Sequence, residues 1–95
     1  MHHYQWSTEK NAQLKPERGI SFEQVVMHIE DGDLLDVYEH PNQARYPGQQ
    51  ILVIRIGDYA YVVPFVESDK GRFLKTIIPS RKATYEYLGG DNAKD

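Results

Sequence analysis

Two strand-like runs separated by two turn residues are the strongest constraint that this sequence places on its fold. Residues 50–56 and 59–67 are rich in β-branched and aromatic side chains, and Gly57 and Asp58 stand between them. This spacing predicts a tight β-hairpin. Pro64 lies inside the second run and has no N–H for a β-ladder, so we expect an edge or a bulge there.

The segments on either side of this hairpin predict further strands and a first helix. Strands are expected at residues 34–40 and 72–78, and the breakers within residues 41–48 predict an irregular loop. Near the start of the chain, Ser7 is a typical helix cap, and Pro16 is the residue at which that helix should end.

Serine caps also predict two more helices. Ser21 precedes Gln24 by three residues, which is the spacing of a capping box. The apolar residues that follow recur at helical spacing and form one stripe of Phe22, Val25, Val26 and Ile29. A last helix is expected to begin after Ser80 and to end at Leu88, before two glycines.

The predicted architecture is one α+β domain with two N-terminal helices, a four-stranded and mainly antiparallel sheet, and a C-terminal helix. A chain of 95 residues has room for one core. We expect the single domain to span residues 1–95, with an ordered core at about 4–89 and a frayed tail at 90–95.

The composition favours a soluble protein without disulfides. The chain contains no cysteine, and no apolar run reaches the roughly 18–20 residues that cross a bilayer. Its first residues lack the apolar core of a signal peptide, so the expected location is the cytoplasm, without membrane contact.

Charge is unevenly distributed along the chain. Residues 1–40 contain eight acidic and three basic side chains, whereas residues 70–85 contain five basic side chains and no acidic one. A net charge of −3 argues against a general nucleic-acid coat, but the basic segment favours one local anion-binding face. Ordinary segregation of charge on a soluble surface explains the same pattern.

The loop after the first predicted strand carries the clearest group of reactive side chains. His40, Asn42, Arg45 and Tyr46 fall within seven residues, beside prolines that stiffen the backbone. Histidine exchanges protons near neutral pH, arginine pairs with phosphate, and tyrosine stacks on a base or donates a proton. The alternative is a rigid turn whose polar groups satisfy its own backbone.

A second candidate site lies where the last strand meets the closing helix. Lys75 is followed by Ser80, Arg81 and Lys82, so cations stand in the first helical turn, where they oppose the helix dipole. A bound phosphate would resolve this opposition. Basic residues at helix starts also occur without a ligand, and Tyr85 in this helix can face either a nucleotide or the edge of the core.

Other catalytic and metal-binding signatures are weak. The four histidines, His2, His3, His28 and His40, lack the spacing of zinc ligands, and no glycine-rich phosphate loop is present. We therefore expect neither a metal ion nor another cofactor.

Two segments of the chain resemble the signature of a known family. The first extends over residues 4–23 and contains Tyr4, Trp6, Ser7, Glu9, Lys10, Asn11, Lys15, Arg18, Gly19, Ile20, Ser21, Phe22 and Glu23. The second is the run Ile77, Ile78, Pro79, Ser80, Arg81, Lys82, Ala83 and Thr84. Together they resemble the BrnT-like toxins of the RelE-like ribonuclease superfamily. Ser7 and Arg18 stand where that family usually has aspartate and histidine, so the resemblance is to a divergent branch.

The resemblance implies the toxin of a type II toxin–antitoxin pair, with a RelE-like fold and a small antitoxin protein that blocks its active face in a hetero-oligomer. It also implies that the protein is a metal-independent endoribonuclease. In such cleavage a base activates the ribose 2′-hydroxyl, cations stabilise the phosphorane, and an acid protonates the leaving oxygen.

We assign these roles by residue type. His40 or Tyr46 is expected to act as acid or base, and Arg45, Lys75 and Arg81 are expected to hold the phosphate. The residues expected to contact RNA outside the reacting group are Lys15, Arg18, Lys82 and Tyr85. This assignment expects the proline-rich loop and the start of the closing helix to meet in one pocket.

Two other functions remain open at the level of sequence. A non-enzymatic protein-binding module of the same fold is favoured by the overall acidity, because negative charge weakens RNA affinity away from the basic segment. A small-molecule enzyme has only the polar loop in its favour.

Overall fold

The computed structural model describes residues 2–89 and has the predicted α+β class. Its elements follow one another as β1 (Tyr4–Trp6), α1 (Thr8–Arg18), α2 (Phe22–Glu30), β2 (Leu34–Glu39), β3 (Gln49–Ile56), β4 (Tyr59–Ser68), β5 (Gly71–Leu74), β6 (Ile78–Pro79) and α3 (Arg81–Leu88). The predicted frayed tail at 90–95 lies outside the described residues.

The described strands form one mixed sheet in the order β1-β5-β4-β3-β2, and β6 pairs with β4 as well. The predicted hairpin is confirmed, because β3 and β4 are antiparallel and Ile56 pairs with Tyr59 across the two-residue turn. β1 is parallel to β5, whereas the other paired strands are antiparallel. The sheet therefore has more strands than the four expected from the sequence.

The prediction of one continuous strand at residues 72–78 is wrong, and Pro64 explains the break. Phe65 and the residues after it pair with β5, whereas Val62 and the residue before it pair with β6. Pro64 lies between these two ladders and offers only its carbonyl, which accepts the N–H of Lys75 at 2.8 Å. A proline has no N–H to return, so the ladder is interrupted at this position.

β1 is an element that the sequence pattern does not reveal, because three residues are too few to show a strand periodicity. Its partner is distant in the chain, since Tyr4 pairs with Arg72. Gly71 permits this close approach: its φ is +123°, and a Cβ built there would lie 2.4 Å from the backbone oxygen of His3. The glycine is required both by its backbone conformation and by the neighbouring strand.

The prediction that the first helix ends at Pro16 is also wrong. α1 continues to Arg18 and is closed by Gly19, whose φ is 71°. The last turn is held by two hydrogen bonds, one from the N–H of Gly19 to the carbonyl of Lys15 (2.9 Å) and one from Nε of Arg18 to the carbonyl of Ile77 (3.2 Å). These contacts offset the hydrogen bond that a proline in the last helical turn removes.

A buried asparagine joins α1 to the start of α2. The side-chain oxygen of Asn11 accepts the N–H of Phe22 at 2.8 Å, and its amide nitrogen donates to Glu23 at 2.7 Å. The predicted capping box of Ser21 and Gln24 is confirmed at the same helix start. The Asn11 hydrogen bond is the main reason that the pKa of the Glu23 carboxyl lies below its usual value.

The helices cover both faces of the sheet. Successive residues of the central strands point to opposite faces, so each central strand contributes side chains to two cores. Leu52 and Ile54 of β3 join the core beneath α1 and α2, which we call the helix-pair face. Ile51 and Val53 belong to the smaller core beneath α3, which we call the α3 face. α3 is fixed there by the buried Thr84, whose hydroxyl accepts the N–H of Ala60 at 2.8 Å.

Candidate functional site

The loop between β2 and β3 is organised by the side chain of Gln43. Its amide nitrogen donates to the carbonyls of His40 and Gln49, both at 2.9 Å, and its oxygen accepts the N–H of Gly48 at 2.9 Å. The N–H of Tyr46 donates to the carbonyl of Asn42, also at 2.9 Å. Gln43 was not singled out from the sequence, because one glutamine among many polar loop residues carries no motif. The three hydrogen bonds of the Gln43 side chain hold the loop in one defined shape.

Three of the five predicted catalytic residues lie together on this loop. The rings of His40 and Tyr46 are 4.5 Å apart between centroids, and Cζ of Arg45 is 5.5 Å from the centre of the Tyr46 ring. Tyr46 and Arg45 are exposed, and His40 is half-buried. The cluster of His40, Arg45 and Tyr46, which we call the loop cluster, presents a titratable ring, a phenol and a fixed cation on one surface.

Hydrogen bonding selects the tautomer of the neutral His40 ring. The N–H of Asn42 points at Nδ1 of His40 with a separation of 3.0 Å. Nδ1 must act as an acceptor there, so the proton of the neutral imidazole resides on Nε2. Nε2 therefore carries an N–H that can donate a hydrogen bond to a ligand, whereas Nδ1 holds the lone pair that can accept a proton once the N–H of Asn42 is displaced.

Lys75 shares the α3 face with the loop cluster but stands across the sheet from it. The N–H of Lys75 donates to the carbonyl of Pro64 on β4. Pro64 pairs with Ile51 on β3, and Ile51 pairs with Tyr38 on β2, next to the loop. Three steps between neighbouring strands place the backbones of Lys75 and Tyr38 roughly 14 Å apart. The ammonium of Lys75 lies 5.5 Å from the Phe73 ring centre. Lys75 therefore does not complete the loop cluster.

A groove between β2 and α3 is the place where the loop approaches the start of α3. It has a volume of about 390 Å³, and its lining includes Pro41 from the loop and Ser80 and Lys82 from the helix start. His40, Arg45, Tyr46 and Arg81 are not among its lining residues. The structure thus brings the two predicted patches to neighbouring positions on the α3 face, but it does not join them in the single pocket that we expected.

Carboxylate and phenol side chains also line the groove. Asp36 and Glu86 both line it, and Glu86 is 4.0 Å from the ammonium of Lys82. The hydroxyl of Tyr87 donates to Asp36 at 2.5 Å, and this hydrogen bond raises the pKa of Tyr87 to about 12. Partial burial, followed by the charges of Glu86 and Asp36, raises the pKa of Tyr38. These residues were missed because β2 and α3 are far apart in the sequence.

The bond between Tyr87 and Asp36 predicts a late phenol titration. A tyrosine whose pKa is raised contributes stability that is present below pH 10 and is lost as pH rises towards 12. In a titration followed by phenolate absorbance, Tyr87→Phe should remove the last phenol to ionise. Asp36→Asn should lower the pKa of the Tyr87 phenol towards its usual value of 10. Asp58→Asn, in the exposed hairpin turn, is the matched control and should leave the curve unchanged. If the Asp36→Asn curve superimposed on that of the unmodified protein, the bond would not control Tyr87.

The remaining predicted RNA-contacting residues are divided between the two faces. Tyr85 and Lys82 are on α3, where Tyr85 is 63% exposed. Lys15 and Arg18 are on α1, which packs on the helix-pair face, and Arg18 bonds to the backbone of Ile77. Lys15 and Arg18 are therefore separated by the sheet from the loop cluster.

Two features are absent from the part of the chain that the structure describes. Within residues 2–89, no three histidine, aspartate or glutamate side chains are grouped as ligands for a metal ion. No helix in that part of the chain is long and apolar enough to cross a membrane.

Comparison with other proteins gives no relative for this chain. No protein-family model matches it, and no curated protein or solved structure matches it.

Proposed function

We propose that this protein is an endoribonuclease that acts on single-stranded RNA and serves as the toxin of a toxin–antitoxin pair. The observation that carries this proposal is the loop cluster, in which a histidine, a tyrosine and an arginine lie on one surface. The resemblance to BrnT-like toxins supports the same function.

The loop cluster supplies the three groups that RNA cleavage by internal attack needs. Nδ1 is the basic nitrogen of the His40 ring, and it accepts a proton when the ribose 2′-hydroxyl takes the place of the N–H of Asn42 as its hydrogen-bond donor. With His40 removing the proton of the ribose 2′-hydroxyl, the guanidinium of Arg45 stabilises the charge on the phosphorane. The phenol of Tyr46 then protonates the leaving oxygen, and the products are a 2′,3′-cyclic phosphate and a free 5′-hydroxyl.

Other cations of the α3 face extend the path that an RNA strand would follow. Lys82 and Pro41 both line the groove, and Lys75 lies beside Phe73 on the far side of the sheet. Aromatic rings next to cations provide stacking and phosphate contacts without sequence preference. Arg81 is exposed at the start of α3 and contributes positive charge to this path.

The test of this function is cleavage of a labelled single-stranded RNA by the purified protein. We expect cleavage in the presence of EDTA, a cyclic phosphate end on the 5′ product, and no cleavage when the ribose before the scissile bond is 2′-deoxy. Expression in a host should arrest growth, and a small protein encoded beside the gene should relieve the arrest. If the deoxy substrate were cut equally well, internal attack by the 2′-hydroxyl would be wrong. If no RNA were cut, a non-enzymatic protein-binding function of the same fold would explain the protein better.

A further inference from the structure

The outer edge of β2 is open among the described residues. β2 pairs with β3, and no second strand within residues 2–89 lies along its other side. The N–H of His40 donates towards β3, to Gln49 at 2.9 Å. Because N–H directions alternate along a strand, the N–H groups of Val37 and Glu39 point away from β3. They form a free edge to which an extended segment can add.

Apolar side chains flank this edge on both faces of the sheet. Val37 pairs with Leu52 on the helix-pair face and is 37% exposed, and Tyr38 pairs with Ile51 on the α3 face and is 40% exposed. Exposed apolar side chains beside strand amides that no neighbouring strand pairs are the features of a β-augmentation site, where backbone bonds provide affinity and alternate side chains provide specificity.

The charges at this edge are mostly negative. Asp36 and Glu39 lie on β2, and Glu86 faces the groove from α3, against the single cation Lys82. The hydrogen bond to Asp36 raises the pKa of Tyr87, and burial, followed by the charges of Glu86 and Asp36, raises the pKa of Tyr38. The edge and the groove together present negative potential and aromatic walls, a combination that attracts arginine and lysine side chains.

We propose that the free edge of β2 and the adjoining groove dock an extended, basic segment of a partner protein. This interaction goes beyond the proposed RNA cleavage and does not depend on it. A second copy of this chain is a poor occupant, because self-pairing would set one acidic edge against another. RNA is disfavoured along β2 itself because Asp36 and Glu39 repel phosphates, whereas the RNA path of the proposed function runs past Lys82 and Arg81 at the start of α3.

Asp36 couples the backbone contacts to the side-chain contacts. In the free protein its carboxylate accepts the N–H of Val37 at 2.8 Å, so one outward amide of the edge is already engaged. An added strand supplies a carbonyl for that N–H and releases one oxygen of Asp36 for a basic side chain on the α3 face. A second basic side chain on the same face then lies close to Glu86, across the groove.

The experiment titrates the isotope-labelled full chain with a short acetylated peptide that alternates arginine with valine and threonine. The amide signals of Val37 and Glu39 should shift most, and their hydrogen exchange should slow. Asp36→Asn and Glu86→Gln should each weaken binding about threefold, because each removes one partly exposed ion pair. Glu17→Gln, on α1 of the helix-pair face, is the matched control and should bind as the unmodified protein does.

Several outcomes would overturn the proposal. One is the absence of binding at about 1 mM peptide, which corresponds to a negligible affinity. Another is equal binding of a peptide with glutamate in place of arginine. A third is a stronger shift of the Val37 and Glu39 amides by an oligouridylate than by the peptide. The last is concentration-dependent dimerisation that perturbs the same amides without peptide. RNA cleavage by the same samples is measured separately, so failure of this proposal is distinguishable from failure of the proposed function.

Discussion

Replacement of His40 by alanine should lower the rate of RNA cleavage by about 10²- to 10³-fold, the usual contribution of a positioned general base or acid. Arg45→Ala should lower the rate by about 10²- to 10³-fold, since it removes one stabilising contact to the phosphorane. The effect should be on kcat rather than on KM, because both groups act at the transition state. Arg81→Ala, at the start of α3, should chiefly raise KM. Single-turnover cleavage of a labelled RNA measures these rates.

The controls for this experiment are chosen from the opposite edge of the sheet. His2→Ala removes an imidazole next to β1, which is four strands away from β2 in the sheet. Lys70→Ala removes a cation in the turn between β4 and β5. Both variants should cleave RNA at the rate of the unmodified protein. If the His40, Arg45 and Arg81 variants were folded and equally active, the assignment of the loop cluster would be wrong.

Gly71→Ala should lower the free energy of unfolding by about 2–3 kcal/mol. Two penalties combine at this position: a non-glycine residue is strained at φ +123°, and its Cβ would approach the oxygen of His3 to 2.4 Å, so β1 must move. The hydrogen bond from the N–H of Arg72 to that same oxygen, now 2.8 Å long, should be lost first. Denaturant unfolding measures the energy, and hydrogen exchange of the Arg72 amide measures the release of β1.

Gly48→Ala is the matched control for this substitution. Gly48 has a φ of +76°, but a Cβ there meets nothing within 4 Å, so only backbone strain is introduced. We expect a loss of about 1 kcal/mol, the lower end for a non-glycine residue in the left-handed region. If Gly71→Ala and Gly48→Ala lowered the free energy of unfolding equally, contact with β1 would not contribute to the destabilisation at Gly71.

The part of the site that is local in sequence was predictable. His40, Arg45 and Tyr46 fall within one seven-residue segment, whose ends cannot lie more than about 25 Å apart and which its turn-forming residues fold back on itself. The groove was not predictable, because Asp36 and Tyr87 meet only when α3 crosses the α3 face. Whether Lys75 stands beside the loop or across the sheet from it also depended on strand order, which the sequence leaves open.

Local patterns determined the helix caps, the hairpin and the α+β class of this protein, because caps and tight turns are formed by residues within a few positions of one another. Ser21 with Gln24, and the turn at Gly57, are the clearest cases. Only the tertiary structure decided the rest: that β1 lies parallel to β5, that Pro64 interrupts the neighbouring ladder, and that α3 covers the opposite face from α1 and α2. Those outcomes depend on contacts between distant segments, whose energies come from burial and from hydrogen bonds that no short stretch of sequence contains.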